Sequence, residues 1–284
     1  MVVGQLNNMK VGFVIQARMR STRLPGKILM PLPINGKTPL LKQIIDQLKR
    51  TKFKAETIVA TSTNSENDIL EDFCKAQNVA IFRGNEDDVL SRFVSIADSN
   101  PFDIIVRLTA DNPFIDIQVL DNLIETHLCN SNKYTCSKGL PIGMNFELVD
   151  PLALVESYVC DLSPEEKEHV TIFIRNNYPI QTVDIKTYDN LKDIRLTIDY
   201  PSDFALASIL FSLLDQESVS QNGLLNSLND IIVQNPWLKE INNSNFQKKQ
   251  FDSKYDELLE ATAILESLEM RSAKNVVLQK LNEL

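Results

Sequence analysis

The sequence KVGFVIQARMRSTRLPGKIL, residues 10–29, decides how the rest of the chain is interpreted. Its first eight residues are mostly apolar and precede turn-forming residues, which predicts a buried strand over 10–17. Four cations then follow within ten residues: Arg18, Arg20, Arg23 and Lys27. Cations, hydroxyls and backbone N–H groups in a loop behind a strand can wrap a polyphosphate. The charge pattern alone fits a solvated basic loop equally well, and no Ser or Thr follows Gly26-Lys27 as in a Walker P-loop.

The overall composition sets this local positive charge apart. The 284 residues carry a formal net charge of -9, and they are 43% hydrophobic and 24% charged, as in globular chains with a sizeable core. An acidic chain argues against nucleic acid or an anionic membrane as the main partner. We therefore expect the cationic loop to serve a small anionic ligand.

We expect neither a membrane span, nor a secretory signal, nor a zinc site. No run approaches the ~20 apolar residues of a membrane span. Residues 1–10 lack the basic and apolar regions of a signal peptide, and Met9 is an alternative start because the strand pattern begins there. Four cysteines lack metal-binding spacing: Cys74, Cys129, Cys136 and Cys160. With only two histidines beside them, reduced thiols in a cytoplasmic protein are the expectation.

Residues 10–111 alternate between strand-like and helix-like patterns. Strands are predicted over four segments: 10–17, 56–62, 79–84 and 102–111. Helices are predicted over three: 38–51, 67–78 and 86–99. This alternation indicates a parallel sheet with helices on both faces. Ligands of such sheets lie beyond the carboxyl ends of the strands, which places four loops at one edge: 16–27, 61–65, 83–88 and 109–113.

The pattern is looser in the rest of the chain. Further elements are expected in this order: a helix over 117–129, short strands near 133–137 and 145–149, a helical start in 164–177 with Ser163 as its cap, and a segment over 194–203 that is first a strand and then opens a helix. A polar linker, 235–250, then precedes an apolar stripe of helical period in a segment without Gly or Pro. We expect one domain over 1–245 and a helical extension over 246–284.

Two aspartates are candidate metal ligands. Asp111 follows a predicted strand in LTADNP, and Asp199 lies near the end of one in TIDYPSD. Taken alone, Asp111 is better explained as a turn residue, and Asp199 as the cap of the next helix. Together with a cationic phosphate loop, two strand-end carboxylates indicate metal-assisted phosphoryl or nucleotidyl transfer, with Mg²⁺ bound by carboxylates and triphosphate.

Six segments, in this order, resemble the cytidylyltransferase family: VIQARMRSTRLPGKIL, IVATS, FRGNEDDVLSRF, IVRLTADNPFID, EEKEHVTIFI and LTIDYPSDF. The family includes the CMP-sialic acid and CMP-ketodeoxyoctonate synthetases, and the resemblance is strongest to the branch of spore coat polysaccharide biosynthesis protein F. It implies a three-layer, Rossmann-like α/β fold of the GT-A nucleotide-diphospho-sugar transferase type, with a mostly parallel central sheet, and a homodimer. It also implies transfer of CMP from CTP to a sugar acid, with Mg²⁺, release of pyrophosphate and a role in surface glycan synthesis.

The resemblance also implies the site residues. Twelve are expected to contact the nucleotide: Gln16, Ala17, Arg18, Ser21, Thr22, Arg23, Lys27, Thr61, Ser62, Arg83, Asp88 and Thr109. Two are implied as metal ligands: Asp111 and Asp199. Three would be catalytic: Arg18, Lys27 and Asp111. Three would bind the acceptor: Asn145, Glu168 and His169. The last two fit an ordinary polar helix face equally well.

The sequence departs from the family's pattern at two positions. Relatives usually have Gly at the position of Arg20, so Arg20 either adds a phosphate contact or crowds the loop. Relatives often have Asp at the position of Asn145, which leaves the identity of the acceptor open.

Three other functions stay open at this point. The acceptor can be a phosphate or phosphonate, which would give a CDP-linked product. The protein can also be a nucleotide-binding regulatory subunit without turnover, or a GT-A glycosyltransferase. Asp111 and Asp199 argue against loss of turnover. Two carboxylates that face each other repel, and a site without turnover has no physical need to keep both. The segment DNPFID also lacks the DxD pattern typical of the glycosyltransferases.

Overall fold

The computed structural model describes residues 8–158, 161–245 and 253–282. The chain divides into two compact units, Met1–Ser244 and Asn245–Leu284. Among the described residues, no helix is long and apolar enough to cross a membrane. Cys160 and part of the expected linker lie outside the described residues.

A seven-stranded sheet forms the centre of the first unit. Its strands are β1 (Lys10–Gln16), β2 (Lys54–Ser62), β3 (Ala80–Gly84), β4 (Ile104–Thr109), β5 (Tyr134–Lys138), β6 (Glu147–Val149) and β7 (Ile180–Asp184). Their order across the sheet is β3-β2-β1-β4-β6-β5-β7. All neighbouring strands are parallel except β6, which is antiparallel to β4 and β5. The mostly parallel α/β sheet that the sequence predicts is therefore confirmed.

Helices connect the strands and follow them. Those described in the first unit are α1 (Leu40–Leu48), α2 (Asp68–Gln77), α3 (Val89–Ser99), α4 (Ile117–Asn130), α5 (Pro151–Tyr158), α6 (Pro164–Glu168), α7 (Ile172–Asn177), α8 (Pro201–Leu213), α9 (Gln216–Asn222) and α10 (Leu224–Gln234). Short 3₁₀ helices include Lys27–Leu29 and Pro236–Ile241.

The sheet separates two buried cores, because successive side chains of a strand point to opposite faces. Phe13 and Ile15 of β1 belong to one core, and Val14 between them belongs to the other. The first core includes apolar residues of α1, α4, α8 and α10, and the second includes those of α3, α5 and α7. This gives three layers. Since β1 to β4 are mutually parallel, their carboxyl ends meet at one edge of the sheet.

The strand expected in the first part of 194–203 is wrong, whereas the helix expected to open there is confirmed. This segment is joined to its neighbour by a single bridge, between Ile142 and Arg195, and α8 begins at Pro201. Its residues Ile194 to Ile198 are all buried, although the segment has no regular secondary structure. The strand-like pattern of apolar residues therefore reflects burial and not sheet pairing. Asp199 therefore does not follow a sheet strand.

The helical start expected at 164–177 is confirmed, because α6 begins at Pro164 with Ser163 as its cap. Val170 has a φ of 54°, which a right-handed helix does not allow, so the segment continues as a separate helix, α7. A further expectation is wrong. The segment 235–242, expected to be a polar linker, is folded, since Leu238 is fully buried and Asn242 is 2% exposed. The sequence pattern also does not predict β7 or α5.

The second unit is helical, as expected. It contains α11 (Lys254–Ser267) and α12 (Arg271–Leu281), and Glu269 between them has a φ of 56°. Ser253 caps α11, because its Oγ accepts the Asp256 N–H at 3.1 Å. Leu268, a member of the predicted apolar stripe, is 54% exposed.

Candidate active site

Backbone hydrogen bonds hold both ends of the cationic loop, residues 17–27, which follows β1. The Ala17 N–H donates to the Ala60 carbonyl of β2 at 3.0 Å, and the Gly26 N–H donates to the Met19 carbonyl at 3.1 Å. Gly26 has a φ of 70°, which glycine adopts without the steric penalty of a Cβ. The loop then enters a 3₁₀ helix at Lys27, whose side chain turns into the protein and is 9% exposed.

Lys27 lies between the two aspartates that the sequence singles out. Its Nζ is 3.2 Å from Asp111 Oδ2 and 3.2 Å from Asp199 Oδ1, and it also donates to the Ile198 carbonyl. Asp111 follows β4, and its carbonyl accepts the Ile198 N–H at 2.8 Å, which joins the two segments. The structure thus brings three of the expected site residues together around one ammonium group.

A second, buried set of charges holds Asp199. Arg195 Nη2 donates to Asp199 Oδ2 at 2.6 Å, and Arg195 Nε donates to Asp203 Oδ1 at 3.1 Å. Asp203 Oδ2 accepts the N–H groups of Asp199 and Tyr200, each at 2.9 Å. Asn242 Nδ2 donates to Asp203 Oδ1 at 2.8 Å. Because these partners are buried, the network fixes both the backbone around Asp199 and the direction of its carboxylate.

The cations around Asp199 lower the pKa of its carboxyl group. Burial by itself raises this pKa, but the charges and hydrogen bonds of Lys27, Arg23 and Arg195 outweigh it. Asp199 therefore stabilises the fold at any pH above the ordinary carboxyl value of about 3.9. That contribution to stability is lost as the pH falls through the lowered pKa that Asp199 has in the folded protein.

Asp199→Asn is therefore expected to reduce the free energy of unfolding at pH 7, and the difference from wild type should shrink below about pH 4. Urea unfolding at a series of pH values measures this difference. Asp98→Asn, on an exposed position of α3, is the matched control and should show no such trend. A difference that stays constant from pH 7 to pH 3 would contradict the assignment of the charges around Asp199.

The other loop cations differ in their surroundings. Arg23 lies 3.4 Å from Asp199 Oδ1, and its guanidinium stacks over the Tyr200 ring at 4.7 Å. Arg18 has a side chain that is 60% exposed and reaches Glu86 at 3.6 Å. Arg20 is exposed and so is Thr22, whereas Ser21 is half-buried, with its Oγ accepting the Leu24 N–H at 3.4 Å. Lys27 and Arg23 thus belong to the carboxylate cluster, and Arg18 lies nearer the surface.

The end of β2 faces the same loop. Buried Asn67 connects the two: its Oδ1 accepts the Met19 N–H at 2.9 Å, and its Nδ2 donates to Ser62 Oγ at 2.8 Å. Thr61 is fully buried, and its Oγ1 has no hydrogen-bond partner in the part of the chain that the structure describes. Such a hydroxyl is uncommon in folded proteins. Because Thr61 is fully buried, the expected nucleotide contact at this residue stays a prediction.

Other expected nucleotide contacts are already engaged within the fold. Arg83 pairs with Asp68 at 2.7 Å and with Glu71 at 2.9 Å, so its charge is balanced locally. Asp88 caps α3 and accepts the Tyr158 hydroxyl at 3.0 Å. These contacts position the loop between β3 and α3, and a direct role for either residue stays a prediction.

Gln16 and Thr109 lie side by side at the ends of β1 and β4. Gln16 Oε1 accepts Arg107 Nη2 at 3.4 Å, and Thr109 Oγ1 accepts Asn112 Nδ2 at 2.9 Å. Both residues therefore lie at the carboxyl edge of the sheet, close to Asp111 in the chain or beside the strand that precedes it.

The expected acceptor residues are less closely grouped. Asn145 is exposed and its amide bonds to Ser137 and to the Leu140 carbonyl, each at 3.3 Å. Glu168 is exposed at the end of α6, and His169 follows it. Among the described residues, no hydrogen bond or ion pair joins Glu168 or His169 to the carboxylate cluster.

Sequence analysis missed four residues around the site. Arg195, Asp203 and Asn242 form the network behind Asp199, and the R-x₃-D-x₃-D spacing of the first two with Asp199 could have indicated it. No local pattern points to Asn242, because its partners lie 39 and 47 residues away. Arg92 of α3 is 4% exposed, and burial lowers its pKa, which nearby Glu86 partly offsets.

Helices cover both faces of the sheet, and cations and the carboxylates of Asp111 and Asp199 lie together at the edge where the strands end. This is the arrangement of a nucleotidyltransferase. The described residues hold no cluster of three or more His, Cys, Asp or Glu side chains suited to a metal. A magnesium ion that is shared with substrate phosphates needs only one or two carboxylates.

The chain belongs to the cytidylyltransferase family, whose model, described as cytidylyltransferase, matches residues 13–231. It is 36% identical over 226 residues to spore coat polysaccharide biosynthesis protein SpsF of Bacillus subtilis, covering 76% of this chain and 93% of that protein. A solved cytidylyltransferase from Leptospira borgpetersenii is 29% identical, with a TM-score of 0.74 over 86% of this chain and 100% of that one. The predicted family is confirmed, and the protein is a CTP-dependent nucleotidyltransferase.

The fold is shared more widely than the sequence. A CMP-2-keto-3-deoxy-manno-octonic acid synthetase, solved in complex with CTP, has a TM-score of 0.54 at 17% identity, covering 72% of this chain and 98% of that one. At this identity the likeness concerns the fold, and it confirms the Rossmann-like transferase architecture that the sequence resemblance implies.

Proposed function

We propose that the enzyme transfers CMP from CTP to a small sugar acid of the nonulosonic acid type, releases pyrophosphate and serves surface glycan synthesis. The observation that carries this proposal is the Lys27 ammonium group held between Asp111 and Asp199 at the carboxyl edge of the sheet. Two relatives support the acceptor class: the spore coat polysaccharide protein and the sugar-acid synthetase with the same fold.

The donor set fits a magnesium ion. Asp111 and Asp199 come from distant segments, yet both carboxylates contact one cationic group, so their oxygens converge on a small volume. We propose these two residues as the protein ligands of Mg²⁺, with triphosphate oxygens completing its shell. When bound, the ion would neutralise triphosphate charge and make the α-phosphate more electrophilic.

The side chains of the loop would neutralise and orient the triphosphate. An acceptor oxygen attacks the α-phosphate in line, the bond to the β-phosphate oxygen breaks, and the acceptor proton passes to solvent. Arg18 and Lys27 would stabilise the negative charge that accumulates on departing pyrophosphate. Arg23 is held beside Asp199 by Tyr200, so it would act from the same side. The protein's contribution is then mainly positioning and electrostatics.

Arg18→Ala is expected to weaken CTP binding about 10- to 100-fold without loss of stability. The reason is that a charge-assisted phosphate contact is worth roughly 1–3 kcal/mol, while the exposed pair with Glu86 adds little to folding. Isothermal titration with CTP measures the effect. Lys49→Ala removes a lysine that is paired with Asp46 on α1, and it should leave CTP affinity unchanged. Equal, small effects of both substitutions would indicate that the loop is a solvated basic surface and does not bind the triphosphate.

Pyrophosphate release, measured with each of the four nucleoside triphosphates, tests the reaction. The acceptors are a panel of nonulosonic acids, sugar phosphates and phosphonates. We expect release only with CTP and a sugar acid. Release with a phosphate or phosphonate instead would establish a CDP-linked product, and CTP binding without turnover on any acceptor would favour a regulatory subunit.

The homodimer, the cytoplasmic location and the separate roles of 1–245 and 246–284 stay predictions. We propose that the helical second unit is an addition to the catalytic domain. Its deletion from residue 250 onward should leave CTP binding intact.

A further inference from the structure

Three cations surround the carboxylate of Asp199, and together they contact both of its oxygens. Arg195 Nη2 donates to Oδ2 at 2.6 Å, whereas Lys27 Nζ and Arg23 Nη2 lie 3.2 Å and 3.4 Å from Oδ1. Lys27 Nζ also lies 3.2 Å from Asp111 Oδ2. A magnesium ion holds its oxygen ligands at about 2.0–2.1 Å, and a second cation beside the same oxygens would be repelled. A metal ion and the Lys27 ammonium group therefore compete for the same two carboxylates.

The three cations differ in how firmly the fold holds them. Arg195 is buried, and its Nε donates to Asp203 Oδ1 at 3.1 Å, so its guanidinium has a second anchor behind Asp199. Arg23 is partly exposed and reaches only one of the two aspartates. Lys27 reaches both, and its ammonium group ends a flexible four-carbon stem. Movement of the Lys27 side chain would thus open both aspartates at once.

Lys27 has little reason to leave these partners by itself. Its side chain is 9% exposed, and its ammonium group also donates to the Ile198 carbonyl. A buried ammonium group without anionic partners is unfavourable, so Lys27 would move only toward another anion. The cationic loop that carries Lys27 is the segment that we propose to bind the triphosphate of CTP, and phosphate oxygens would supply that anion.

We propose that Lys27 blocks the metal site until the triphosphate draws its ammonium group away from Asp111 and Asp199. The divalent ion then binds together with the nucleotide, and the protein binds the ion only weakly by itself. This inference rests on the proposed function, because the metal ligands and the triphosphate site are taken from it. It gives Lys27 a role in the order of ligand binding, in addition to charge stabilisation during the reaction.

Binding of Mn²⁺ to the full-length protein without nucleotide tests the proposal, because Mn²⁺ takes the same oxygen ligands as Mg²⁺ and electron paramagnetic resonance reports the free ion. Lys27→Met should lower the Kd for Mn²⁺ about 10- to 100-fold. This range follows if the aspartates of wild type are available in about 1–10% of molecules, since the apparent affinity falls by that fraction. Adding Asp111→Asn to Lys27→Met should abolish most of the gain.

Arg23→Met is the matched control. It also removes one positive charge that contacts Asp199 Oδ1, but it leaves Lys27 between the two aspartates. Its Kd for Mn²⁺ should fall less than about fivefold, the effect of an exposed ion pair. Lys27→Gln keeps a donor for the Ile198 carbonyl, so it is the second variant if Lys27→Met does not fold, and it should bind Mn²⁺ equally well.

Saturating CTP separates displacement of Lys27 from a simple loss of charge. With CTP bound, the triphosphate holds Lys27 in wild type, so wild type should bind Mn²⁺ at least as tightly as Lys27→Met. Water proton relaxation enhancement distinguishes protein-bound Mn²⁺ from the complex of Mn²⁺ with CTP in solution.

Four results would overturn this inference: tight Mn²⁺ binding by wild type alone, no gain in the Lys27 variants, equal gains in Lys27→Met and Arg23→Met, or a gain that persists unchanged with CTP. Pyrophosphate release by wild type would leave the proposed function standing in each case. Absence of turnover with every sugar acid would instead overturn the proposed function, and the Mn²⁺ measurements, which need no acceptor, would still decide the role of Lys27.

Discussion

Asp111→Asn is expected to lower kcat about 100- to 1,000-fold, the range that follows removal of one electrostatic contact to the transition state. The substitution halves the proposed carboxylate set and removes one of the two anions that hold Lys27. The fold should survive, since the Asp111 side chain is 31% exposed and its backbone bond to Ile198 does not depend on the carboxylate.

Steady-state pyrophosphate release measures this loss, and thermal unfolding checks that the variant is folded. Asp98→Asn again serves as the control, because it removes an exposed aspartate far along α3. Turnover close to wild type in Asp111→Asn would falsify the assignment of Asp111 as a metal ligand.

Asp203→Asn is expected to reduce the free energy of unfolding by about 3–5 kcal/mol, the cost of breaking a buried ion pair by removing one partner. The Asp203 side chain is fully buried and accepts hydrogen bonds from Arg195, Asn242 and two backbone N–H groups. An asparagine of the same size would turn an amide N–H toward at least one of these donors. Arg195 would then remain buried without its ion pair to the Asp203 carboxylate.

Urea unfolding at pH 7 measures the effect, and Asp193→Asn, an exposed change on the same segment, should cost almost nothing. Turnover of Asp203→Asn should also fall at a temperature where the variant is folded, because the network directs the Asp199 carboxylate. A stable variant with normal turnover would show that the network around Asp203 is needed neither for stability nor for turnover.

The sequence alone was sufficient for the first half of the chain. β1 to β4 are short apolar segments between helices of regular period, so their identity follows from local pattern, and the parallel arrangement follows from the alternation. The position of Asp111 and of the cationic loop at one edge of the sheet then needed no further information, because parallel strands end on the same side.

Beyond residue 130, local pattern predicted β5 and β6 but failed for the segments around Asp199 and Asn242. The apolar segment before Asp199 resembles a strand, but its backbone bonds to the loops at Ile142 and Asp111 instead of to a sheet. Asn242 lies in a polar stretch that resembles a linker, and its burial depends on partners in a distant segment. Polar composition indicates exposure only where no buried partner exists.

The sequence thus determined the family, the positions of the first four strands along the chain with their parallel arrangement, and the two aspartates as candidate metal ligands. Only the tertiary structure decided that Lys27 turns inward to both of them, since the Ile198 carbonyl that it contacts is 171 residues away. Side-chain periodicity reports which face of an element is buried, whereas the direction of a charge depends on partners that the fold brings together from distant parts of the chain.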